Sequence, residues 1–143
     1  KNHKTGNYKI MKKICIVLST YNSEITNKIH VSATNELAKS GFKKMDTVKV
    51  PGSFEIPVTI SRLVKKYDGF IAIGCIIKGE TANFDLISSA ITNGIMRIST
   101  NEKKPIGNAI LTCFNEKQAK DRYDRGNEAA KAVIAVLKNA WSR

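Results

Sequence analysis

The sequence predicts one doubly wound α/β domain: a four-stranded parallel sheet with helices on both faces. Three observations carry that expectation. Short apolar runs rich in Ile and Val recur along the chain and do not alternate with polar residues, as expected for parallel strands covered on both sides. Between them lie longer segments whose apolar residues recur at helical spacing, and Gly or Pro marks most of the boundaries. With 143 residues, 42% of them hydrophobic and 25% charged, the composition is that of one globular core and excludes a disordered or fibrous chain.

The elements follow in order. Ile14 to Leu18 reads as a strand buried on both faces. Asn22 or Ser23 can cap the next helix, Ile25, Ile29, Ala33 and Leu37 form its stripe, and Gly41 sits where a helix-ending glycine belongs. A shorter strand around Thr47 to Val50 stops at Pro51-Gly52. Ile56, Ile60, Leu63, Val64 and Tyr67 then mark a second helix with Pro57 in its first turn. Phe70 to Ile77 is the central strand, ending in the loop Lys78-Gly79-Glu80-Thr81. A third helix carries Ile87, Ile91, Ile95 and Ile98, and a strand runs from Ile106 to Thr112. A helical tail is expected to reach Trp141, with an interruption at Gly126.

Residues 1–10 read as a basic, flexible arm before a domain spanning 11–143. The first thirteen residues hold five lysines and no acid, but the apolar run that follows is too short for a signal-peptide core. Nor does any apolar stretch approach the ~18 residues of a membrane span. The expectation is therefore a cytoplasmic protein without membrane contact. Cys15, Cys75 and Cys113 lack metal or redox spacing, so they read as buried thiols. The excess of 24 basic over 12 acidic residues, +12 overall, suits an anionic partner. The lysines are dispersed and no nucleic-acid fingerprint accompanies them, which disfavours nucleic acid.

In open α/β sheets the ligand lies beyond the carboxyl ends of the strands. The segments to search are therefore Ser19 to Asn22, Pro51 to Glu55, Lys78 to Thr81 and Thr112 to Phe114. Gly79-Glu80-Thr81 can cradle a phosphate with backbone N–H groups and a hydroxyl, or simply connect strand to helix. Glu55 can accept hydrogen bonds from a polyol, or favour a helix N-terminus. Tyr21 can stack on a planar ligand or fill the core. Arg122 and Arg125 lie in a basic stretch that is either a solvated face or a phosphate clamp. His3, in the arm, and His30, inside the first helix, are poorly placed for catalysis.

These segments occur together in an order that resembles the 6,7-dimethyl-8-ribityllumazine synthase family. The resemblance rests on Val50-Pro51-Gly52-Ser53-Phe54-Glu55-Ile56-Pro57 and on the run from Gly74 through Lys78-Gly79-Glu80-Thr81-Ala82-Asn83-Phe84 to Asp85. Pro105 through Thr112, and Gln118-Ala119 followed by Arg122, extend it to nearly everything from Ile14 onward. It implies a flavodoxin-like fold. It also implies a transferase of riboflavin biosynthesis that condenses 5-amino-6-(D-ribitylamino)uracil with L-3,4-dihydroxy-2-butanone 4-phosphate, releasing phosphate and water, with no metal and no cofactor.

By position, the resemblance makes Tyr21 the stacking aromatic, and Ser53, Phe54 and Glu55 the lining of ring and ribityl chain. It gives Cys75, Ile76 and Ile77 backbone contacts to the ring. Gly79, Glu80 and Thr81 become the phosphate loop, and Arg122 a phosphate clamp reaching in from the neighbouring subunit of a homopentamer. Three departures stand out. Asn83 replaces the usual proton-shuttling histidine, Asn108 replaces a neighbour's phenylalanine, and the segment from Arg122 to Glu128 is shorter than usual. Since an amide cannot titrate near neutrality, the competing expectation is a weakly active or inactive homologue that carries lumazine or flavin. A phospho-accepting receiver domain is disfavoured because no acidic cluster closes the strands, and a flavodoxin-type FMN binder leaves the Pro51 and Gly79 motifs unexplained.

Overall fold

The computed structural model describes residues 10–139. Residues 1–9 of the expected 1–10 arm, His3 among them, and Trp141 lie outside that range, while Ile10 begins the first strand. The chain runs β1 (Ile10–Ser19), α1 (Ser23–Lys39), β2 (Phe42–Val50), α2 (Ile56–Leu63), β3 (Gly69–Ile77), α3 (Phe84–Glu102), β4 (Ile106–Cys113), α4 (Glu116–Lys120) and α5 (Arg125–Lys138). All strand pairs are parallel and the order is β2-β1-β3-β4, the flavodoxin-like doubly wound arrangement. The expected fold class holds. β1 and β2 are longer than the apolar runs suggested, because their ends carry lysines while still pairing through the backbone.

Side chains alternate across the sheet, and both faces are covered. Ile14, Ile16, Leu18, Ile71 and Ile73 meet α1 and α5 through Ile29, Ala33, Ala130 and Val133. Cys15, Val17, Phe70 and Ala72 meet α2 and α3 through Ile56, Ile60, Ile91 and Ile95. Every residue of β3 is buried, which is why its sequence shows no polar alternation. Each fully buried Ile contributes roughly 1.5–3 kcal/mol of transfer free energy. The outer strand β2 exposes Lys43, Lys44 and Lys49, charges that discourage edge pairing with another sheet.

Two expectations need correction. Asn22 occupies the N-cap position of α1 but makes no side-chain cap; it is left-handed, with φ 59°, and its amide points elsewhere. Gly126 does not interrupt the C-terminal helix. The break lies at residues 121–124, and Gly126 sits in the first turn of α5, where a Cβ would overlap the carbonyl oxygen of Ile29 in α1. Glycine there lets two helices touch backbone to backbone. Asn127 extends the contact by donating to Glu36 Oε1 at 2.7 Å and, from its backbone, to Ser32 Oγ at 2.8 Å.

Candidate active site

In this topology β1 leads to β2 on one side and β3 to β4 on the other, so the chain diverges at the crevice between the ends of β1 and β3. Asn22 spans that crevice. Its Nδ2 lies 3.5 Å from the Cys75 carbonyl oxygen on β3 and 3.5 Å from Glu80 Oε1. Tyr21 O–H reaches the same Glu80 oxygen at 3.5 Å, and its ring is 55% exposed. The core-filling alternative for Tyr21 therefore fails: the ring lies open beside the crevice. The turn is joined to the end of β2 by backbone bonds from Thr20 to the Val50 carbonyl and from Tyr21 to that of Pro51.

The Pro51 motif forms a 3₁₀ turn over Ser53–Glu55 that runs into α2, with Pro57 in the first helical turn. Ser53 is buried, and its Oγ occupies the space a Cβ on Gly74 would need, so the turn rests directly on β3. Phe54 is 64% exposed. Glu55 Oε1 accepts from the Gly52 N–H at 2.9 Å, which binds the loop to itself. The helix-terminus reading of Glu55 is thus realised, and among the described residues its second carboxylate oxygen has no hydrogen bond.

Cys75, Ile76 and Ile77 end β3, buried but with their backbone at the crevice. Burial, reinforced by Cys113, Glu80 and Glu116, pushes the Cys75 thiol up to about 12. It stays protonated at neutral pH and is no nucleophile. Lys78–Glu80 make a second 3₁₀ turn; Gly79 is exposed, with open space where a Cβ would be. Beyond it a hollow of about 330 Å³ is lined by Lys78, Thr81, Asn83, Phe84, Asp85 and Leu86. Asn83 precedes α3, exposed and without a side-chain cap.

Asn108 lies apart from this cluster. It pairs with Ala72 and sits five residues before the end of β4, roughly 16 Å along the strand. Its Oδ1 accepts from the Ile110 N–H at 3.0 Å, and its carbonyl accepts from Arg125 Nε at 3.2 Å, so both occupy polar groups on the sheet edge. Arg122, by contrast, is exposed, and its guanidinium has no hydrogen bond or ion pair among the described residues. Tyr21, Ser53, Phe54, Glu55, Cys75, Ile76, Ile77, Glu80 and Thr81 therefore gather at one sheet end, Asn108 lies further back on the edge strand, and the Arg122 charge acts on Cys113, where β4 ends beside Ile77.

Asn22 and Lys78 both lie in strand-end segments that the sequence singles out, yet the only individual role it suggests for Asn22 is a cap, and it suggests none for Lys78. The signal for Asn22 was available: Asn tolerates the left-handed conformation, and this one follows directly on a strand-end aromatic. His30, hydrogen-bonded to Thr47 Oγ1 at 2.8 Å, is indeed remote from the strand ends. Among the described residues no group of His, Cys, Asp and Glu could hold a metal ion, and no helix is long and apolar enough to cross a membrane.

A flavodoxin-like sheet with its polar loops converging at the β1/β3 crevice defines a small-molecule-binding α/β protein. A profile for 6,7-dimethyl-8-ribityllumazine synthase matches residues 11–140. The 6,7-dimethyl-8-ribityllumazine synthase of Cutibacterium acnes (strain DSM 16379 / KPA171202) is 38% identical over 132 residues, covering 87% of this chain and 80% of that protein. Those of Corynebacterium kroppenstedtii (33%, covering 90% and 82%) and Mycobacterium leprae strain Br4923 (36%, covering 87% and 82%) are similar throughout. The chain belongs to the 6,7-dimethyl-8-ribityllumazine synthase family.

Proposed function

We propose that the chain condenses 5-amino-6-(D-ribitylamino)uracil with L-3,4-dihydroxy-2-butanone 4-phosphate to give 6,7-dimethyl-8-ribityllumazine, the penultimate step of riboflavin biosynthesis, in the cytoplasm. The observation that carries this reading is the crevice itself, where Tyr21, the Ser53–Glu55 turn, the end of β3 and Glu80 converge in a chain of this family. Tyr21 stacks on the pyrimidine ring, Phe54 and the backbone of Cys75 to Ile77 frame it, and Ser53 and Glu55 receive the ribityl hydroxyls. The backbone N–H groups of Gly79 and Glu80 and the Thr81 hydroxyl hold the phosphate end of the ketone.

The substrate amine attacks the ketone carbonyl, water leaves as the Schiff base forms, phosphate is eliminated, and the ribitylamino nitrogen then closes the ring on the second carbonyl carbon with loss of a second water. Cys75, protonated and buried, takes no covalent part. Asn83 orients the intermediate by hydrogen bonding and moves no proton, so rate enhancement comes from proximity and phosphate binding. Arg122 reaches the phosphate of a neighbouring copy in a homopentamer. Its support is contrast: Arg125 is occupied by the Asn108 carbonyl, whereas Arg122 faces solvent unpaired. Asn108 meets the same neighbouring site without the stacking a ring would give.

The test is to incubate the purified chain with both substrates while following lumazine absorbance and phosphate release. Stoichiometric formation of both products is expected. Binding of ribityl ligands without product would overturn the reading in favour of a carrier.

A further inference from the structure

We infer that Lys78, held in place by Phe114, is a second cation for the phosphorylated ketone, supplied by the same chain that provides the crevice. The inference rests on the reading just given. Phe114 directly follows β4 and is 64% exposed, with its backbone N–H held by Gln118 Oε1 at 2.8 Å. Lys78 Nζ stands over its ring, 5.3 Å from the centroid. A ring face attracts an ammonium without neutralising it, so the charge is positioned yet remains available to an anion. Among the described residues no carboxylate lies within ion-pair distance of Lys78.

The hollow beside it supplies the second half of the argument. Lys78 is the one cation and Asp85 the one acid among its lining residues, with Thr81 and Asn83 offering a hydroxyl and an amide as donors. A phosphate entering here meets the like charge of Asp85, and Lys78 offsets that repulsion. The geometry makes Lys78 a binding residue and Phe114 a positioning residue. Arg122 then acts from one side, in the neighbouring copy, and Lys78 from the other.

The experiment is steady-state kinetics on the full chain, varying each substrate in turn, with variants whose folding is verified by circular dichroism. Lys78→Gln is expected to raise KM for the phosphorylated ketone about tenfold, the loss of one charge-assisted contact, and to leave KM for the ribitylaminouracil within about twofold. Lys78→Arg should retain most of the affinity. Phe114→Leu should raise the ketone KM by about threefold, whereas Phe114→Tyr, which keeps the ring face, should not. Equal changes in both KM values, or no change with Lys78→Gln or Phe114→Leu, would overturn the proposal. If the parent makes no lumazine, the functional reading fails on its own. Titration with inorganic phosphate then decides the fate of Lys78: weaker binding by Lys78→Gln supports its role and equal binding overturns it.

Discussion

The two helical layers of this sheet are finished to different degrees. On one face α1 and α5 meet at Gly126 as closely as backbones permit, and the Asn127–Glu36 bond ties them together. On the other face α2 and α3 touch more loosely: a Cβ on Gly94 would meet Pro57 at an ordinary 3.4 Å. That second layer also turns Val58, Leu86 and Met96 outward at 58, 72 and 61% exposure. The first layer leaves only Val31 and Val136 among its described large apolar side chains exposed, while the second presents more apolar surface that a further copy can cover. The functional asymmetry runs the same way. The hollow opens at the start of α3, and Arg122, exposed and with no hydrogen bond or ion pair to its guanidinium among the described residues, lies just ahead of α5.

One substitution made in both layers puts the contrast under the greatest strain. Gly126→Ala places a methyl on the Ile29 carbonyl oxygen, and the two helices must part; a loss of about 3 kcal/mol is expected from urea unfolding. Gly94→Ala should instead be neutral or gain up to about 1 kcal/mol, since alanine is the better helix former and the space is there. Similar losses at the two glycines would dissolve the distinction between the layers.

Assembly is the next measure. Met96→Lys should shift the proposed pentamer toward smaller species in light scattering while leaving the far-UV spectrum unchanged. A parent that is already monomeric at micromolar concentration would end the pentamer proposal. Next comes Arg122→Ala, with a loss of roughly 10–100-fold in kcat/KM for the phosphorylated ketone, as befits a charge-assisted phosphate contact of about 1.5–3 kcal/mol. The same loss for Arg125→Ala would show that the clamp had been assigned to the wrong arginine.

Asn83→His sharpens the comparison at the open layer's helix start. General acid–base assistance is worth on the order of 10²–10⁴-fold in full, so even a partly aligned imidazole should raise kcat by about tenfold with ring affinity unchanged. A pH dependence near the histidine range of about 6.5 should appear with it. Unchanged turnover and an unchanged pH profile would refute the assigned difference between amide and imidazole.

The smallest effect belongs to His30 on the sealed layer. Burial, with Lys49 adding to it, lowers its pKa below the ordinary value. The unfolded chain therefore binds the proton more readily, so stability rises with pH through the window below about 6.5 and declines as acid is added. His30→Gln should flatten that slope in melting temperatures measured between pH 5.5 and 7.5. An unchanged slope would assign the acid sensitivity elsewhere.

Much of this was written locally. The runs Ile14–Leu18 and Phe70–Ile77 announce buried parallel strands because a strand covered on both faces has no polar side, and that requirement acts on each residue separately. The Ile29-Ala33-Leu37 stripe, the Pro51 stop and the glycine after α1 act within a few residues, so they too could be read in order. Gly126 looked like a helix breaker because its requirement comes from Ile29, nearly a hundred positions away. Asn22 looked like a cap because its partners, the Cys75 carbonyl and Glu80, come from another strand end. Whether Arg122 or Arg125 stood free turned on the Asn108 carbonyl at the edge of β4, and the meeting of Lys78 with Phe114 on two adjacent strand ends. Local propensity is a property of neighbours in sequence and survives in the bare chain. Contacts between strand ends exist only after the crossovers have stacked the sheet, so only the tertiary structure decided which polar side chains were already satisfied and which remained for a ligand.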